Sequence, residues 1–94
     1  DKEAPAAPAV TVNEQNGQQQ VSWTHSNEAD VFQWVLYYRY GNNWNYKILN
    51  NTERNAVLPI TTGAGNNQSK LNAVIVSAVD RTGNESTKTE TILK

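Results

Sequence analysis

Short runs of β-branched and aromatic residues recur along the chain, and each run ends in a cluster of Gly, Asn, Asp or Pro. No apolar stripe with the i, i+3, i+4, i+7 spacing of an amphipathic helix lasts two turns, so the pattern predicts an all-β domain. The predicted strands span 9–13, 19–24, 32–40, 45–50, 55–60, 71–80 and 88–93. The chain is therefore expected to form seven short strands.

Alternation along two of the predicted strands indicates which residues are buried. In 19–24 the large apolar residues Val21 and Trp23 alternate with Gln and Ser, so the face that carries Trp23 must point to the core. In 71–80 both rows are largely apolar, which is typical of a strand covered on both faces. The strand 71–80 is therefore expected to lie inside a sheet.

The strand 32–40 offers two apolar faces, and Arg39 decides between them. A guanidinium is far cheaper to leave in water than to bury, so the row that contains Arg39 is predicted to face outwards. This assignment places Trp34, Leu36, Tyr38 and Tyr40 on the core side, and Val35 and Tyr37 on the outer side.

Turn residues support the same arrangement. Asn16-Gly17 and Gly41-Asn42-Asn43 stand where tight antiparallel connections need residues that tolerate positive φ. The polar loop 61–69 is long, which suits a crossover between two sheets better than a hairpin. The connections therefore predict two packed antiparallel sheets.

Composition narrows the classes of partner. The 94 residues carry eight basic and nine acidic side chains, so the chain lacks the positive field that nucleic acid requires. No apolar run approaches the ~18 residues of a membrane span, and the absence of cysteine excludes disulfides and thiolate metal sites. We expect a proline-containing linker at 1–8 and one domain at 9–94, monomeric when isolated.

Two loop clusters contain residue types that carry chemistry, and in both the sequence favours an ordinary loop. His25, Ser26 and Asp30 could be drawn as a nucleophilic triad, but three residues so close in sequence rarely converge on that geometry. The acidic turn 80–85 does not match the ligand spacing of a calcium-binding loop. No catalytic, cofactor-binding or metal-binding residue is therefore predicted.

Four motifs, taken together and in order, resemble the fibronectin type III family over nearly the whole chain. They are the proline-rich entry APAAPAVTV, the VSW of the second strand, the WVLYYR of the third and the NAVIVSAVDRTGNES that begins in the sixth. The tail VSAVDRTGNES is similar to modules attached to secreted bacterial polysaccharide-degrading enzymes and surface proteins. The resemblance implies an all-β, seven-stranded immunoglobulin-like β-sandwich.

The sequence departs from the family pattern at Asn72. The family usually places a tyrosine there, whose hydroxyl bonds the backbone of the preceding loop. Without this clamp, the adjacent end of the sandwich is expected to be looser or to be pinned by asparagine hydrogen bonds. The Arg-Gly-Asp tripeptide of some adhesive members is absent as well, so integrin-type adhesion has no support.

The resemblance implies a non-catalytic spacer or docking module of a secreted or surface bacterial protein. The expected parent is a glycoside hydrolase or another polysaccharide-processing enzyme, and the expected partners are its neighbouring domains. Val35, Tyr37 and Ile75 on the outer face would form an apolar stripe of the kind that contacts another protein surface. The alternative is that the side-chain stems of Arg39 and of lysines partly shield this stripe.

A second candidate surface lies around Trp44 and Tyr46. An aromatic ring beside asparagine amides can stack on a sugar ring while the amides bond its hydroxyls. Packing of the ring across the sheet is the structural alternative. A carbohydrate-binding module and a protein-adhesion module therefore remain alternative functions.

Overall fold

The computed structural model describes residues 4–63 and 68–93, which form eight antiparallel strands and a short 3-10 turn at Glu28–Asp30. The strands are β1 Ala9–Gln15, β2 Gln18–Thr24, β3 Gln33–Tyr40, β4 Asn43–Asn50, β5 Asn55–Pro59, β6 Thr61–Thr62, β7 Ser69–Val79 and β8 Thr91–Ile92. Each of the seven predicted strands has a counterpart, and the two-residue β6 is additional. The all-β prediction is confirmed.

The strands form two sheets that pack into a sandwich. One sheet has the order β1-β2-β5 and the other has the order β4-β3-β7-β6, with β8 also paired to β7. The strand β7 lies inside its sheet, as its two apolar rows predicted. Among the described residues no helix is long and apolar enough to span a bilayer.

The core lies between the two sheets. Val21 and Trp23 of β2 meet Trp34 and Leu36 of β3, and none of these four side chains is more than 2% exposed. The rings of Trp23 and Trp34 contact edge to face, with centroids 6.1 Å apart. The predicted core row is confirmed, with Tyr38 packed against it at its margin. Full burial of each large apolar side chain stabilises the fold by about 1.5–3 kcal/mol.

The two predicted hairpin turns are present. Asn16 and Gly17 both adopt positive φ (52° and 78°), as a type I′ turn requires. Gly41 adopts a φ of 60° at the first position of the β3–β4 connection. Because this connection has only two residues, Asn43 already belongs to β4 and the strand begins two residues earlier than predicted.

One predicted strand and one predicted connection differ from the structure. The final strand was expected at 88–93, but only Thr91–Ile92 pair with β7, because the segment 85–90 turns its side chains onto the sheet instead. The loop 61–69 was expected to cross between the sheets. The chain has already crossed at Ile60, and β6 then pairs back with β7. Residues 64–67 of this loop lie outside the described residues.

The chain enters and leaves at opposite ends of the sandwich. At the entry, Pro5 and Pro8 are buried and the Ala6 carbonyl contacts the His25 ring, 2.6 Å from Nε2, so the described part of the predicted linker packs on the domain. At the exit, the Leu93 N–H donates to the Asn72 carbonyl (2.8 Å). The molecule measures 49 × 23 × 20 Å.

Candidate docking surface on the outer sheet face

Strand register places the two surfaces predicted from sequence on one face. Tyr37 of β3 lies between Tyr46 of β4 and Ile75 of β7. Directly opposed residues of antiparallel strands point to the same side of a sheet. The neighbouring rows are Ile48–Val35–Ser77 and Trp44–Arg39–Ala73. The candidate interface and the candidate carbohydrate contact therefore form one continuous surface.

The segment 85–90 covers one half of this surface. A single carboxylate oxygen, Glu85 Oε2, accepts hydrogen bonds from the Tyr37 hydroxyl (2.6 Å) and the Ser77 hydroxyl. Lys88 Nζ lies 4.8 Å from the centroid of the Tyr37 ring and 3.8 Å from Glu85 Oε1. We call this half, with Val35 and its neighbours Tyr37, Ser77 and Ile75, the covered half.

The covered half is less exposed than the sequence predicted. Val35 is only 9% exposed, and Tyr37 and Ile75 are half-buried. Lys88 supplies part of the shielding, as the alternative expected, but Glu85 was not foreseen and Arg39 lies against Trp44 instead. Contact of this stripe with another protein stays a prediction.

The Glu85 contacts move the pKa values of Tyr37 and Glu85 further from neutrality. Burial and the adjacent Glu85 carboxylate raise the pKa of the Tyr37 hydroxyl. Burial alone would raise the pKa of Glu85, but hydrogen bonds from Ser77 and Tyr37 and the charge of Lys88 lower it overall. At neutral pH the hydroxyls therefore donate and the carboxylate accepts.

The other half of the face is bare. On β4, Trp44, Tyr46 and Ile48 are 42%, 64% and 56% exposed. We call these three residues the bare strip. The Arg39 guanidinium lies 5.2 Å from the Trp44 ring, and the Tyr46 ring is 6.3 Å from that of Tyr37. Both aromatic rings are thus supported from the β3 side and open to solvent on the other.

Sequence reasoning missed Ile48 as part of this surface. The signal was present, because Trp44, Tyr46 and Ile48 alternate with Asn45 and Lys47 along a single strand. That alternation was obscured because the strand was predicted to begin at residue 45, which left Trp44 outside it. The two-residue connection at Gly41 restores Trp44 to the strand and shows the full row.

The asparagines that flank Trp44 lie on the opposite face of β4. Asn43 is opposite Tyr40, and Asn45 is opposite Tyr38, and both tyrosines belong to the core-facing row. The predicted carbohydrate site needs amides beside the rings to bond sugar hydroxyls. Sugar binding by Trp44 and Tyr46 stays a prediction, but the alternation separates the rings from these two amides.

The turn after β7 positions Glu85. Asp80 Oδ1 accepts from the N–H groups of Thr82 (3.0 Å) and Asn84 (2.9 Å), and Gly83 supplies a φ of 88°. The backbone bond from Asn84 is the largest of the contacts that lower the pKa of Asp80 to about 2. Ser86 then bonds the Ala78 backbone and closes the turn. These bonds explain the acidic turn as a structural element.

His25 is an anchor for the entry segment. Its Nδ1 accepts the Asn27 N–H (2.9 Å), so Nε2 donates to the Ala6 carbonyl (2.6 Å). Both ring nitrogens are thus used by backbone groups, and the ring packs edge-on against Trp34 at 5.7 Å. The arrangement leaves neither nitrogen available as a general base for Ser26.

The end of the sandwich near Asn72 is pinned by asparagine hydrogen bonds, which is the second of the two alternatives that the missing tyrosine left open. The Asn72 side chain accepts from Arg39 Nε (2.6 Å) and donates to the Gly41 carbonyl (2.9 Å). A second clamp was not predicted. The hydroxyl of Tyr40, on the neighbouring strand, donates to the Pro59 carbonyl (2.6 Å) and joins the two sheets.

Three solved structures share this architecture. The Clostridium perfringens spore cortex lytic enzyme SleM aligns over 97% of this chain with 21% identity and a TM-score of 0.68, and the chain spans 28% of that enzyme. A myokine aligns over 96% of both chains with 21% identity and a TM-score of 0.68. The FN3 domain of human collagen XX aligns over 95% of this chain and 91% of its own, with 15% identity and a TM-score of 0.65.

These structures and the sheet order define the class of the protein. The chain has the fibronectin type III fold, so the fold expected from the four motifs is confirmed. No protein-family model and no curated protein matches the sequence.

Proposed function

We propose that this chain is a non-catalytic spacer and docking module of a secreted or surface bacterial protein. The observation that carries the proposal is the similarity to part of SleM, where the aligned region is 28% of a spore cortex lytic enzyme. By analogy, the parent chain is a polysaccharide-processing enzyme, such as a glycoside hydrolase, that acts outside the cell. The chemistry then belongs to other domains of the parent.

The positions of entry and exit support the spacer role. The chain enters beside His25 and leaves beside Asn72, at opposite ends of a body 49 Å long. Hydrogen bonds hold both junctions, and the core between them is closely packed around Trp23 and Trp34. Such a module keeps the domains on its two sides at a fixed separation.

The bare strip supports a docking role toward a neighbouring domain of the parent. The exit residue Ile92 is 60% exposed and pairs with Ala73, in the row that continues through Arg39 to Trp44. Three strand spacings, about 14 Å, separate Ile92 from Trp44. A domain that follows Leu93 would start on the same face as the bare strip.

The surface of the domain supports a non-catalytic role. A depression between residues 29–31 and 80–82 holds about 160 Å³, whereas sites for small ligands usually hold roughly 300–1,000 Å³. His25 is committed to backbone hydrogen bonds. Hydrolysis would need paired carboxylates on either side of a cleft.

The test compares the parent enzyme with a variant in which residues 9–93 are deleted. We expect activity on short soluble oligosaccharides to persist and activity on the insoluble polymer to fall, because the deletion removes the spacer and its docking surface but no catalytic group. The isolated 94-residue chain should hydrolyse neither substrate. Hydrolysis by the isolated chain, or loss of soluble activity on deletion, would overturn the proposal.

Two further measurements separate the rival functions. Titration of the isolated chain with millimolar soluble oligosaccharides should leave the amide signals of Trp44 and Tyr46 unchanged. A shift of both signals would replace the spacer with a carbohydrate-binding module. Retention of a purified host protein that is lost on Tyr37→Ser would indicate an adhesion module instead.

A further inference from the structure

The strand β4 is the free edge of its sheet. In the order β4-β3-β7-β6, its only strand neighbour within residues 4–63 and 68–93 is β3. The strand has eight residues and contains neither proline nor a bulge against β3. Natural edge strands are usually shortened, bulged or charged because a regular edge is a template for pairing with another strand.

The outward backbone groups belong to the bare strip. In a hairpin with a two-residue turn, the residues on either side of the turn form a hydrogen-bonded pair, here Tyr40 and Asn43. Hydrogen-bonded and non-hydrogen-bonded pairs then alternate along the two strands. Trp44, Tyr46 and Ile48 belong to the non-hydrogen-bonded pairs with β3, so their backbone N–H and C=O groups point away from β3. Asn50 lies two residues further along the same row, and its backbone groups point away from β3 as well. Its N–H donates to the Glu53 carboxylate and its C=O accepts from the Glu53 N–H, each at 3.0 Å.

We propose that β4 pairs antiparallel with β4 of a second copy of this chain, about a two-fold axis at Tyr46. Tyr46 would then lie opposite Tyr46 of the second copy, and Trp44 opposite Ile48. All three residues of the bare strip gain an apolar cross-strand neighbour on the same face. The interface is isologous, so it closes as a dimer. The inference does not depend on the proposed function.

The charge on β4 selects this register. The alternative centred on residue 47 would place Lys47 directly opposite its own copy, which is destabilising. The alternative centred on residue 45 would leave Ile48 opposite the exposed Asn42 of the turn. Pairing about Tyr46 instead places Lys47 opposite Asn45 and joins all the apolar residues.

Lys47 does not block the pairing, because the inner face of β4 is exposed where Lys47 lies. On an edge strand, an inward-pointing lysine prevents association when the partner would bury it. Here the inner row of Asn43, Asn45 and Lys47 is exposed throughout. The ammonium of Lys47 lies 5.9 Å from the Tyr38 ring of its own copy, on the side away from the edge. A second β4 would leave it in water.

The pairing is expected to be weak. A contact along one strand is at the small end of protein interfaces, so we expect a dissociation constant of about 0.1–1 mM. The monomer predicted from sequence would then dominate in dilute solution. Dimers would form where copies are held close together, as on a crowded cell surface.

Single cysteines provide a test of the register, because the chain contains none of its own. The Cα atoms of a hydrogen-bonded antiparallel pair are about 5.5 Å apart, within the range that a disulfide spans. In a glutathione redox buffer, Tyr46→Cys should form a covalent dimer faster than the matched control Val57→Cys, whose side chain is 47% exposed on the edge strand β5. Trp44→Cys mixed with Ile48→Cys should cross-link faster than either alone.

Sedimentation equilibrium of the cysteine-free chain gives an independent test. At millimolar concentration the native chain should contain dimer, Tyr46→Lys should remain monomeric because two charges meet at the axis, and Val57→Lys should match the native chain. The proposal is overturned if Tyr46→Cys links no faster than Val57→Cys, if Trp44→Cys links best with Tyr46→Cys, or if the native chain stays monomeric at millimolar concentration.

Discussion

The covered half and the bare strip occupy the same face of one sheet, yet only the bare strip is open to a partner. Tyr37 and Tyr46 sit directly opposite each other on adjacent strands, with ring centroids 6.3 Å apart. Tyr37 bonds Glu85 and carries Lys88 over its ring, whereas Tyr46 is 64% exposed. The strand pattern alone would make them equivalent.

The difference arises from a segment that is not a strand. Residues 85–90 follow the Asp80 turn and run beside β7, so their side chains reach β3 but not β4. Whether an outward residue is exposed therefore depends on what crosses it as well as on its alternation. Four sets of variants test this contrast, ordered from the largest expected effect to the smallest.

Asp80→Ala should give the largest loss of stability. The change removes the acceptor for two backbone N–H groups, and it releases the turn that holds Glu85 over the covered half. We expect a lower urea midpoint at pH 7 together with greater exposure of Tyr37. The exposed acid Asp30 provides the control, since Asp30→Ala should leave the midpoint nearly unchanged. Equal effects of the two changes would contradict the role of the turn.

The same turn predicts an acid dependence of stability. The pKa of Asp80 is lowered to about 2 by its hydrogen bonds, and the pKa of Glu85 is lowered as well. A carboxyl group whose pKa is lower in the folded chain than in the unfolded chain stabilises the fold. This contribution is fully present above the unfolded-state pKa and is lost as the pH falls through the folded-state pKa. The free energy of unfolding should therefore decrease from about pH 4 to about pH 2. Asp80→Ala should flatten this profile, and an unchanged slope would rule out Asp80 as the source.

Glu85→Ala should remove the cover itself. Tyr37 and the fully buried Ser77 would lose their shared acceptor, at a cost of about 1–3 kcal/mol. In the control Glu90→Ala, a surface pair with Arg39 is lost (3.7 Å), which should cost less than about 1 kcal/mol. Urea unfolding measures both. If Ser77→Ala does not reduce the effect of Glu85→Ala, the shared acceptor is not its cause.

Tyr40→Phe extends the contrast to a third tyrosine. The change removes only the hydroxyl that donates to the Pro59 carbonyl, so unfolding should become easier by about 0.5–1.5 kcal/mol. The matched control is Tyr46→Phe on the bare strip, where the same atom is lost from an exposed ring. Thermal unfolding should separate the two variants. Identical melting temperatures would show that the Tyr40 clamp contributes nothing to stability.

Tyr46→Ser should have the smallest effect. The side chain is 64% exposed, so its replacement should change the free energy of unfolding by no more than about 0.5 kcal/mol. Tyr37→Ser on the covered half should cost more, because it also removes one of the two hydroxyls that donate to Glu85. A larger loss from Tyr46→Ser would mean that the strip contributes to folding and is poorly suited to docking.

The sequence by itself determined the order of seven of the eight strands that the structure describes, the hairpin turns and the core row. These features depend on short-range rules: side chains alternate along a strand, Asn-Gly and Gly permit positive φ, and a charge such as Arg39 stays in water. Trp23, Trp34 and Leu36 followed directly from them. At position 72 the departure from the family pattern left a looser end or asparagine pinning open, and the structure shows the pinning.

Only the tertiary structure decided which outer residues stay open and how the tyrosine clamp is replaced. Glu85 reaches Tyr37 across 48 positions of sequence, and Tyr40 reaches Pro59 across 19. Neither contact follows from alternation, because it depends on which segment passes over which strand. The start of β4 depended on the length of one turn, which was predicted two residues too long. Exposure is therefore a property of the packed sheet, whereas strand identity is already present in the local pattern.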